Sequence, residues 1–544
     1  MRIGIDVGGT NTDAALLGHD DRVLAATKSP TTPDITSGVT AAIQALAPPV
    51  ESITAVMIGT THFLNALVEG DRLTPVAAVR LGLPATAALP PMADWPARQR
   101  AALGGHGYLC HGGREFDGRP LSPLDPDELR RTAADIHARG LTSVAVSSVF
   151  SPVAEVDEWR AAEILRRELG EGVHFSLSHD LGRVGLLARE NATIINASLR
   201  DLATVIVESF GKALAEMSIT APFFLSQNDG TLMDVDFARA YPVATFASGP
   251  TNSMRGAALL SGLGDCAVVD VGGTTADIGV LTGGFPRETA GESEAAGIRT
   301  NFRIPDVLSL GIGGGSLVSR DGETGPRSVG YRLTEEALVF GGTRLTATDL
   351  AVAAGRADIG DGSHVAHLGR EFTRRALDRV AERIADGVDR MRTSAAALPV
   401  VAVGGGSVLV PQVLPGFADV RRPGHFDVAN AVGAAIAQVG GEVDRVFRVP
   451  EGHRDTVLAG AREEAVGRAL DAGARPGSVR VVDIEEVPLA YLPGGATRIR
   501  VKAVGDLDLG RLDEVTVSGA GREATVPGVG RKATAAGVGA ASRA

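Results

Sequence analysis

At 544 residues the chain is long enough for two or three domains with proper cores, and 44% hydrophobic with 22% charged residues describes a soluble globular protein. A formal net charge of −12 without any basic block argues against nucleic-acid binding and against docking on an anionic membrane. Only Cys110 and Cys266 occur, which excludes a disulfide framework, and no apolar run reaches the ~18 residues of a spanning helix. The opening Met1-Arg2-Ile3-Gly4-Ile5-Asp6 reads as a strand where a signal peptide would lie, so a cytoplasmic location is expected.

The first element predicted is a strand, residues 3–5, running into Asp6-Val-Gly-Gly-Thr-Asn-Thr-Asp13 and then a second apolar run at 14–17. That pattern is strand, tight turn, strand. A further strand is expected at 55–59. A Pro/Gly-rich insertion at roughly 80–125 then carries Trp95 and Cys110. Asp125-Pro126 followed by Asp127 and Glu128 marks a helix start, with acids in its first turn. A strand at 144–150, a helix at 191–215 and a strand at 221–226 come next. The opening motif then returns as Asp270-Val-Gly-Gly-Thr-Thr-Ala-Asp277, 264 residues after its first appearance and identical at six of eight positions. It too sits between apolar runs, at 267–269 and 278–281. Beyond it come the cluster Gly311-Ile-Gly-Gly-Gly-Ser316, an amphipathic helix at 371–392, and a buried strand at 398–403. Gly404-Gly405-Gly406-Ser407 is expected to open a helix, and a small-residue helix is expected at 429–439. Strands at 479–483 and 498–502 belong to a small α/β unit, and the Gly/Ala/Arg/Thr-rich end lacks apolar periodicity. The units expected are 1–175, 176–440 and 441–517, with a disordered tail at 518–544.

The repeated hairpin carries chemistry. Gly8-Gly9 and Gly272-Gly273 permit positive φ and leave no side chain in the way of an approaching anion. Successive N–H groups in such a turn form a concave nest for phosphate oxygens, and the hydroxyls of Thr10, Thr12, Thr274 and Thr275 are further donors. Asp6 and Asp270 would place negative charge beside a polyphosphate, which makes sense only with a cation between them. Mg²⁺ fits, since it is held by one or two carboxylates plus phosphates and water. Asp13 and Asp277 are candidates for orienting a water or attacking group. Gly404, Gly405, Gly406 and Ser407 offer bare backbone to an adenine or ribose, and Gly313 and Gly314 would serve the same nucleotide or hinge the cleft. Taken alone, each later cluster reads equally well as an ordinary flexible loop.

Paired phosphate hairpins with a late strand–GGGS–helix resemble the actin-like ATPase superfamily. More narrowly, the chain resembles the hydantoinase A/oxoprolinase family, in its N-methylhydantoinase A-like subunits. The likeness rests on Met1–Thr10, Gly59-Thr60-Thr61 with Asn65-Ala66-Leu67, and Gly112-Gly113-Arg114-Glu115-Phe116-Asp117-Gly118-Arg119. It continues in Arg189-Glu190-Asn191-Ala192-Thr193, Ser226-Gln227-Asn228-Asp229-Gly230, Ser248-Gly249-Pro250, Gly313 to Ser316, and Ala429-Asn430-Ala431-Val432-Gly433-Ala434-Ala435. The resemblance implies a duplicated actin-like (ribonuclease H-like) α/β fold, two lobes around a nucleotide cleft, with a small C-terminal α/β unit. It implies ATP and Mg²⁺ as cofactors and ATP-dependent opening of a cyclic amide (5-oxoproline, a hydantoin or a lactam) by phosphorylation of the amide oxygen. Related members carboxylate ketones with ATP. A B-type hydantoinase subunit and a homo- or hetero-oligomer are implied as partners. The chain is shorter than oxoprolinase-type A subunits and has His62 where the family more usually has valine. A small-molecule kinase of the same superfamily and a non-catalytic actin-like nucleotide switch are the alternative readings, separated by whether the phosphate stays on the product.

Other polar residues carry two readings each. His62, beside Thr60-Thr61, is a candidate general base because imidazole titrates near neutrality, or else a satisfied residue at a strand end. Thr60, Thr61, Asn65, Arg114 and Asp117 are candidate substrate contacts, and the planar fork of Arg114 would suit a carboxylate. Arg189-Glu190 and Asn228-Asp229 either line the cleft or cap local structure. His106, Cys110 and His111 are zinc-type ligands at a spacing that fits no standard pattern, so ordinary loop residues are the stronger reading. Cys266 is expected to be a small core residue.

Overall fold

The computed structural model describes residues 1–8, 11–30, 35–289, 291–490 and 495–510. Gly9, Thr10 and the predicted tail lie outside the described residues. Four strands open the chain: β1 (Arg2–Val7), β2 (Asn11–Leu17), β3 (Val23–Pro30) and β4 (Ala55–Thr60). β1 and β4 are parallel and almost wholly buried, as strands covered on both faces are.

The chain then builds a separate sheet from β5 (Val76–Leu83), β6 (His106–His111), β7 (Ser143–Ser148) and β8 (His174–Leu177). All four are parallel, in the order β6-β5-β7-β8. The helix between its strands starts as expected: Pro126–Ala138 is capped by Asp125, which accepts from the N–H groups of Asp127 and Glu128. The Leu186–Glu216 helix, five residues longer at its start than the pattern suggests, leads back to the first sheet. Its Glu190 takes a two-pronged bond from buried Arg80 of β5 (Nε–Oε2 2.7 Å) and a third from Ser147 of β7 (2.8 Å). Arg189 is spent on Ser178 (2.9 Å) and the carbonyls of Ser148, Arg183 and Val184, and burial pushes its guanidinium down to about 10. Arg189 and Glu190 therefore bolt the inserted sheet to the helix.

β9 (Phe223–Ser226) then lies parallel to β4, and β10 (Leu232–Met233) turns back along it. The first half thus reads β3-β2-β1-β4-β9 across its sheet. The second half repeats this: Val307–Leu310, β12 (Ala276–Thr282), β11 (Cys266–Val271), Val400–Val403, Val420–Arg421. Registers match as well, with Asp6 opposite Asp13 and Asp270 opposite Asp277. Cys266 is a buried core residue of β11.

Two expected helices are cut short. Gly404–Ser407 opens only a 3-10 turn, Ser407–Leu409, and the helix at 429 ends at Ala434. From Gln438 the chain is a strand, Gln438–Arg448, because alternating Val439, Val443 and their neighbours pair with Ala496–Asp506 rather than continue a helical stripe. These strands and Arg480–Pro488 extend the first sheet through β10 to nine strands. The Arg454–Asp471 helix lies on them so closely that a Cβ on Gly441 would stand 2.3 Å from Ala465 O. A buried ion network fastens this unit to the second half: Arg303 meets Glu288 (3.1 Å) and Glu442 (2.8 Å), and Arg500 meets Glu288 (2.6 Å).

The halves meet where the Ser248–Ser261 and Ala429–Ala434 helices cross backbone to backbone. A Cβ on Gly256 would lie 1.8 Å from Ala429 O, and one on Gly433 would lie 1.8 Å from Asn252 O. Among the described residues no helix is long and apolar enough to cross a membrane.

Candidate functional site between the hairpins

Both hairpin turns close in the same way: Gly8 N–H donates to Asn11 O at 3.0 Å and Gly272 N–H to Thr275 O at 2.9 Å. Gly273 and Thr274 are exposed, Thr275 and Gly8 are half-buried, and Thr12 is fully buried. A Cβ on Gly273 would meet nothing within 4 Å, so internal packing does not require glycine there.

The two leading aspartates are gathered by one helix. Asn252 Nδ2 donates to Asp6 Oδ1 (3.2 Å), and its neighbour Ser253 hydrogen-bonds Asp270. Asn430 Nδ2 reaches both Asp6 (3.0 Å) and Asp13 (2.8 Å), while Lys28 Nζ donates to Asp13 at 2.6 Å. Ser309 Oγ donates to Asp277 at 2.5 Å. Burial pushes the Asp6 carboxyl up to about 6, with the Asp13 charge adding to the rise. Burial also raises Asp270 to about 6, with Asp277 and Asp6 adding to it, and raises Asp277. Lys28 acts on Asp6, Asp13 and Asp270, so three carboxylates share one lysine and the site is short of positive charge. No group of three or more His, Cys, Asp or Glu fit for a metal cage exists among the described residues. The donor set is thus wrong for zinc but fits Mg²⁺, which needs one or two carboxylates and takes its other ligands from phosphate and water.

Both late glycine clusters pack on the second hairpin. Gly314 and Gly315 N–H donate to the carbonyls of Gly272 (2.9 Å) and Gly273 (2.7 Å), and a Cβ on Gly313 would strike Thr274 N at 2.4 Å. On the other side Gly406 N–H donates to Val271 O (2.7 Å), and Gly404, at φ 83°, leaves room for Asp270 Oδ1. Gly405 alone of this loop is exposed, with open space where a Cβ would point. Ser407 is buried, and its Oγ has no hydrogen-bond partner among the described residues.

Thr60 ends β4, and Thr61 and His62 follow it at the hairpin end of β1, where Thr61 Oγ1 donates to Val7 O at 3.3 Å. Asn65 sits one turn on, 3.4 Å from Thr61 Oγ1. The Thr60 hydroxyl and His62 Nδ1 lie 2.6 Å apart. Burial, with help from Arg72, pushes the His62 imidazole down to about 4, which keeps it neutral at pH 7 and makes it a weak base. A histidine depressed in the fold stabilises above its unfolded value near 6.5 and loses that contribution as pH falls toward 4. Wild-type melting temperature is therefore expected to drop more between pH 7 and pH 5 than that of His62→Gln, a difference read directly from thermal melts.

Arg114 and Asp117 stand elsewhere, over the carboxyl ends of β5 and β7. Arg114 bonds Gly118 O (2.9 Å) and Asp157 (3.1 Å), and Asp117 pairs with Arg119 (2.6 Å). Asn228 and Asp229 tie local turns and Lys502 (2.9 Å). His106, Cys110 and His111 alternate along β6. Cys110 contacts Thr132 and is pushed by burial up to about 11, and His111 meets Glu128. Sequence reasoning passed over Asn252, Ser253, Lys28 and Ser309. Asn430 had been noted only inside a small-residue run. Polar residues just inside Ser248-Gly-Pro and Ala429-Asn were the signal available for two of them.

A duplicated sheet with two matching Gly-Gly hairpins, their leading aspartates bonded by consecutive residues of one helix, defines a two-lobed protein of the actin-like fold. Residues 2–169 match the hydantoinase/oxoprolinase N-terminal region and residues 189–403 match hydantoinase/oxoprolinase; the chain belongs to this family. It is 28% identical over 419 residues to the caprolactamase subunit alpha of Pseudomonas jessenii, covering 71% of this chain and 58% of that one. It is 29% identical over 397 residues to the acetophenone carboxylase gamma subunit of Aromatoleum aromaticum, covering 65% and 53%. The chain thus spans between half and two thirds of the length of these curated relatives. The crystal structure of the ATP-dependent caprolactamase of P. jessenii shares the fold at a TM-score of 0.74 and 19% identity, over 93% of this chain and 87% of that one.

Proposed function

We propose that this chain is the A-type subunit of an ATP-dependent hydrolase that opens a cyclic amide (a lactam, a hydantoin or 5-oxoproline) by phosphorylating the amide oxygen. The observation that carries this reading is the meeting of Asp6 and Asp270, from equivalent hairpins, on the consecutive residues Asn252 and Ser253. Such a site takes a polyphosphate between two turns. Family membership and the caprolactamase relative support a cyclic amide as the second substrate.

Amide resonance makes the carbonyl carbon unreactive to water. Transfer of the terminal phosphoryl group to its oxygen, with ADP leaving, makes that carbon electrophilic. Water then adds, the C–N bond breaks with the nitrogen leaving as the amine, and the resulting acyl phosphate hydrolyses to carboxylate and free phosphate. In this reading the Gly272-Gly273 turn and Thr274 hold phosphate oxygens, and Gly405 lies against the nucleoside. Asp6 and Asp270 hold the hydrated cation; Mg²⁺ there would neutralise charge developing on the transferring group. Asp13 or Asp277 orients the attacking group, and Thr60 and Thr61 stand beside the first turn to position the amide. A B-type subunit would complete ring opening, in keeping with relatives named as subunits.

The acetophenone carboxylase relative favours a second reading, ATP-dependent carboxylation of a ketone, which shares the step of oxygen phosphorylation. The deciding experiment measures phosphate release from Mg·ATP with and without lactams, hydantoins and 5-oxoproline, alone and with a B-type subunit. Stimulation by a cyclic amide with an opened-ring product is the expected result. Stimulation only by a ketone with bicarbonate would replace this reading with the second.

A further inference from the structure

The two halves share a strand order, but the strands that flank the two hairpins differ in sequence, and one of those differences falls beside the second aspartate of each motif. On β3, Lys28 stands in register with Asp13; on the Val307–Leu310 strand the equivalent residue, in register with Asp277, is Ser309. Lys28 Nζ lies 2.6 Å from Asp13 Oδ1 and its side chain is 35% exposed, while that of Asp13 is only 5% exposed. Neutralising the carboxylate does not explain a lysine there. In the other half a serine hydroxyl at 2.5 Å serves Asp277, and Asp13 already accepts from Asn430 at 2.8 Å. The ammonium has three donors, and its charge acts on Asp6 of its own half and on Asp270 of the other. It is partly open to solvent.

The direction of a bound nucleotide follows from the glycine clusters. Those at 311–316 and 404–406 both pack on the second hairpin, which puts the nucleoside end in the second half. The first hairpin, with Lys28 one strand beyond it, is left for the far end of the phosphate chain.

Resting on the nucleotide reading above, we propose that Lys28 is a further catalytic residue: its ammonium contacts the terminal phosphate and sets the preference for a nucleoside triphosphate over a diphosphate. A lysine suits this as a compact point charge that can hold a carboxylate and a phosphate oxygen at once.

The test compares the affinities of Mg·ATP and Mg·ADP, by calorimetry, in wild type, Lys28→Met, Lys28→Arg, Asp13→Asn and the double variant Lys28→Met/Asp13→Asn. Lys28→Met alone leaves a buried carboxylate short of a partner and is read only beside the double variant, which removes cation and anion together. In the double variant ADP is expected to bind as in wild type while the preference for ATP falls roughly tenfold or more. Asp13→Asn should keep that preference, and Lys28→Arg should keep part of it. Retention of the full wild-type preference in the double variant overturns the proposal. So does an equal loss in Asp13→Asn alone, which would make the lysine merely a partner of the aspartate. Wild type binding neither nucleotide sinks the nucleotide reading itself, and this proposal with it.

Discussion

Asp270→Asn is expected to lower ATP turnover by about 10²- to 10³-fold, the scale on which single electrostatic contacts to a transition state are lost. The effect is larger than a hydrogen-bond deletion because, in the proposed reading, the carboxylate would share one hydrated cation with Asp6, and an amide cannot replace its charge. The same change should leave the protein no less stable, and more stable above about pH 6. Burial raises the Asp270 carboxyl to about 6 from its ordinary 3.8, so the folded state holds the proton more tightly than the unfolded chain. For such an acid, stability falls as pH rises from about 4 to 6 and then levels off. Asparagine removes that cost. Turnover assays beside melts at pH 5 and pH 8 check both halves of the expectation: activity lost, with melting temperature at pH 8 equal or higher. Unchanged turnover would remove Asp270 from the metal site. A lost fold would mean that its bond to Ser253 matters more than its charge.

How far the sequence could be read depends on the distance over which each feature was decided. The hairpins were legible because everything that makes them lies in one short stretch of chain, residues 3–17 and again 267–281: apolar flanks, a Gly-Gly turn and terminal aspartates. Their matching registers followed from the same local pattern. The short helix at 429 was not, since Ala and Val between 429 and 439 suit either element, and pairing with the distant Ala496–Asp506 strand decides the matter. Nor could the roles of the glycine clusters be read locally. Gly313 and Gly314 have the composition of a ligand loop, but their neighbours are the carbonyls of residues 272 and 273, some forty positions earlier. The residues that organise the carboxylates were hidden for the same reason. Asn252 and Asn430 reach Asp6 across more than two hundred residues, and nothing near either asparagine marks its partner. Arg114 shows the reverse case: its donor fork, which in sequence invites a substrate carboxylate, is engaged in the fold with Asp157.

Glycines that exist for packing and glycines that exist for a ligand should separate cleanly under substitution by alanine. Gly433→Ala would place a Cβ 1.8 Å from Asn252 O, at the crossing of the two helices that join the lobes. Neither neighbour is the end of a flexible side chain, so the helices must part, at a cost of about 1–3 kcal/mol or more. The displaced atom belongs to the residue that holds Asp6, so any protein that folds should also lose turnover. Gly405→Ala is the opposite case. Its Cβ would meet nothing within 4 Å, and its backbone is not in the left-handed region. The fold should be indifferent, whereas a nucleoside lying on that loop would be pushed away, weakening nucleotide binding roughly tenfold, or about 1.4 kcal/mol. Thermal melts and nucleotide titrations of the two variants test this together. If Gly405→Ala binds nucleotide as tightly as wild type, the nucleoside does not lie on the 404–407 loop. The direction assigned to the phosphate chain would then rest on the 311–316 cluster alone.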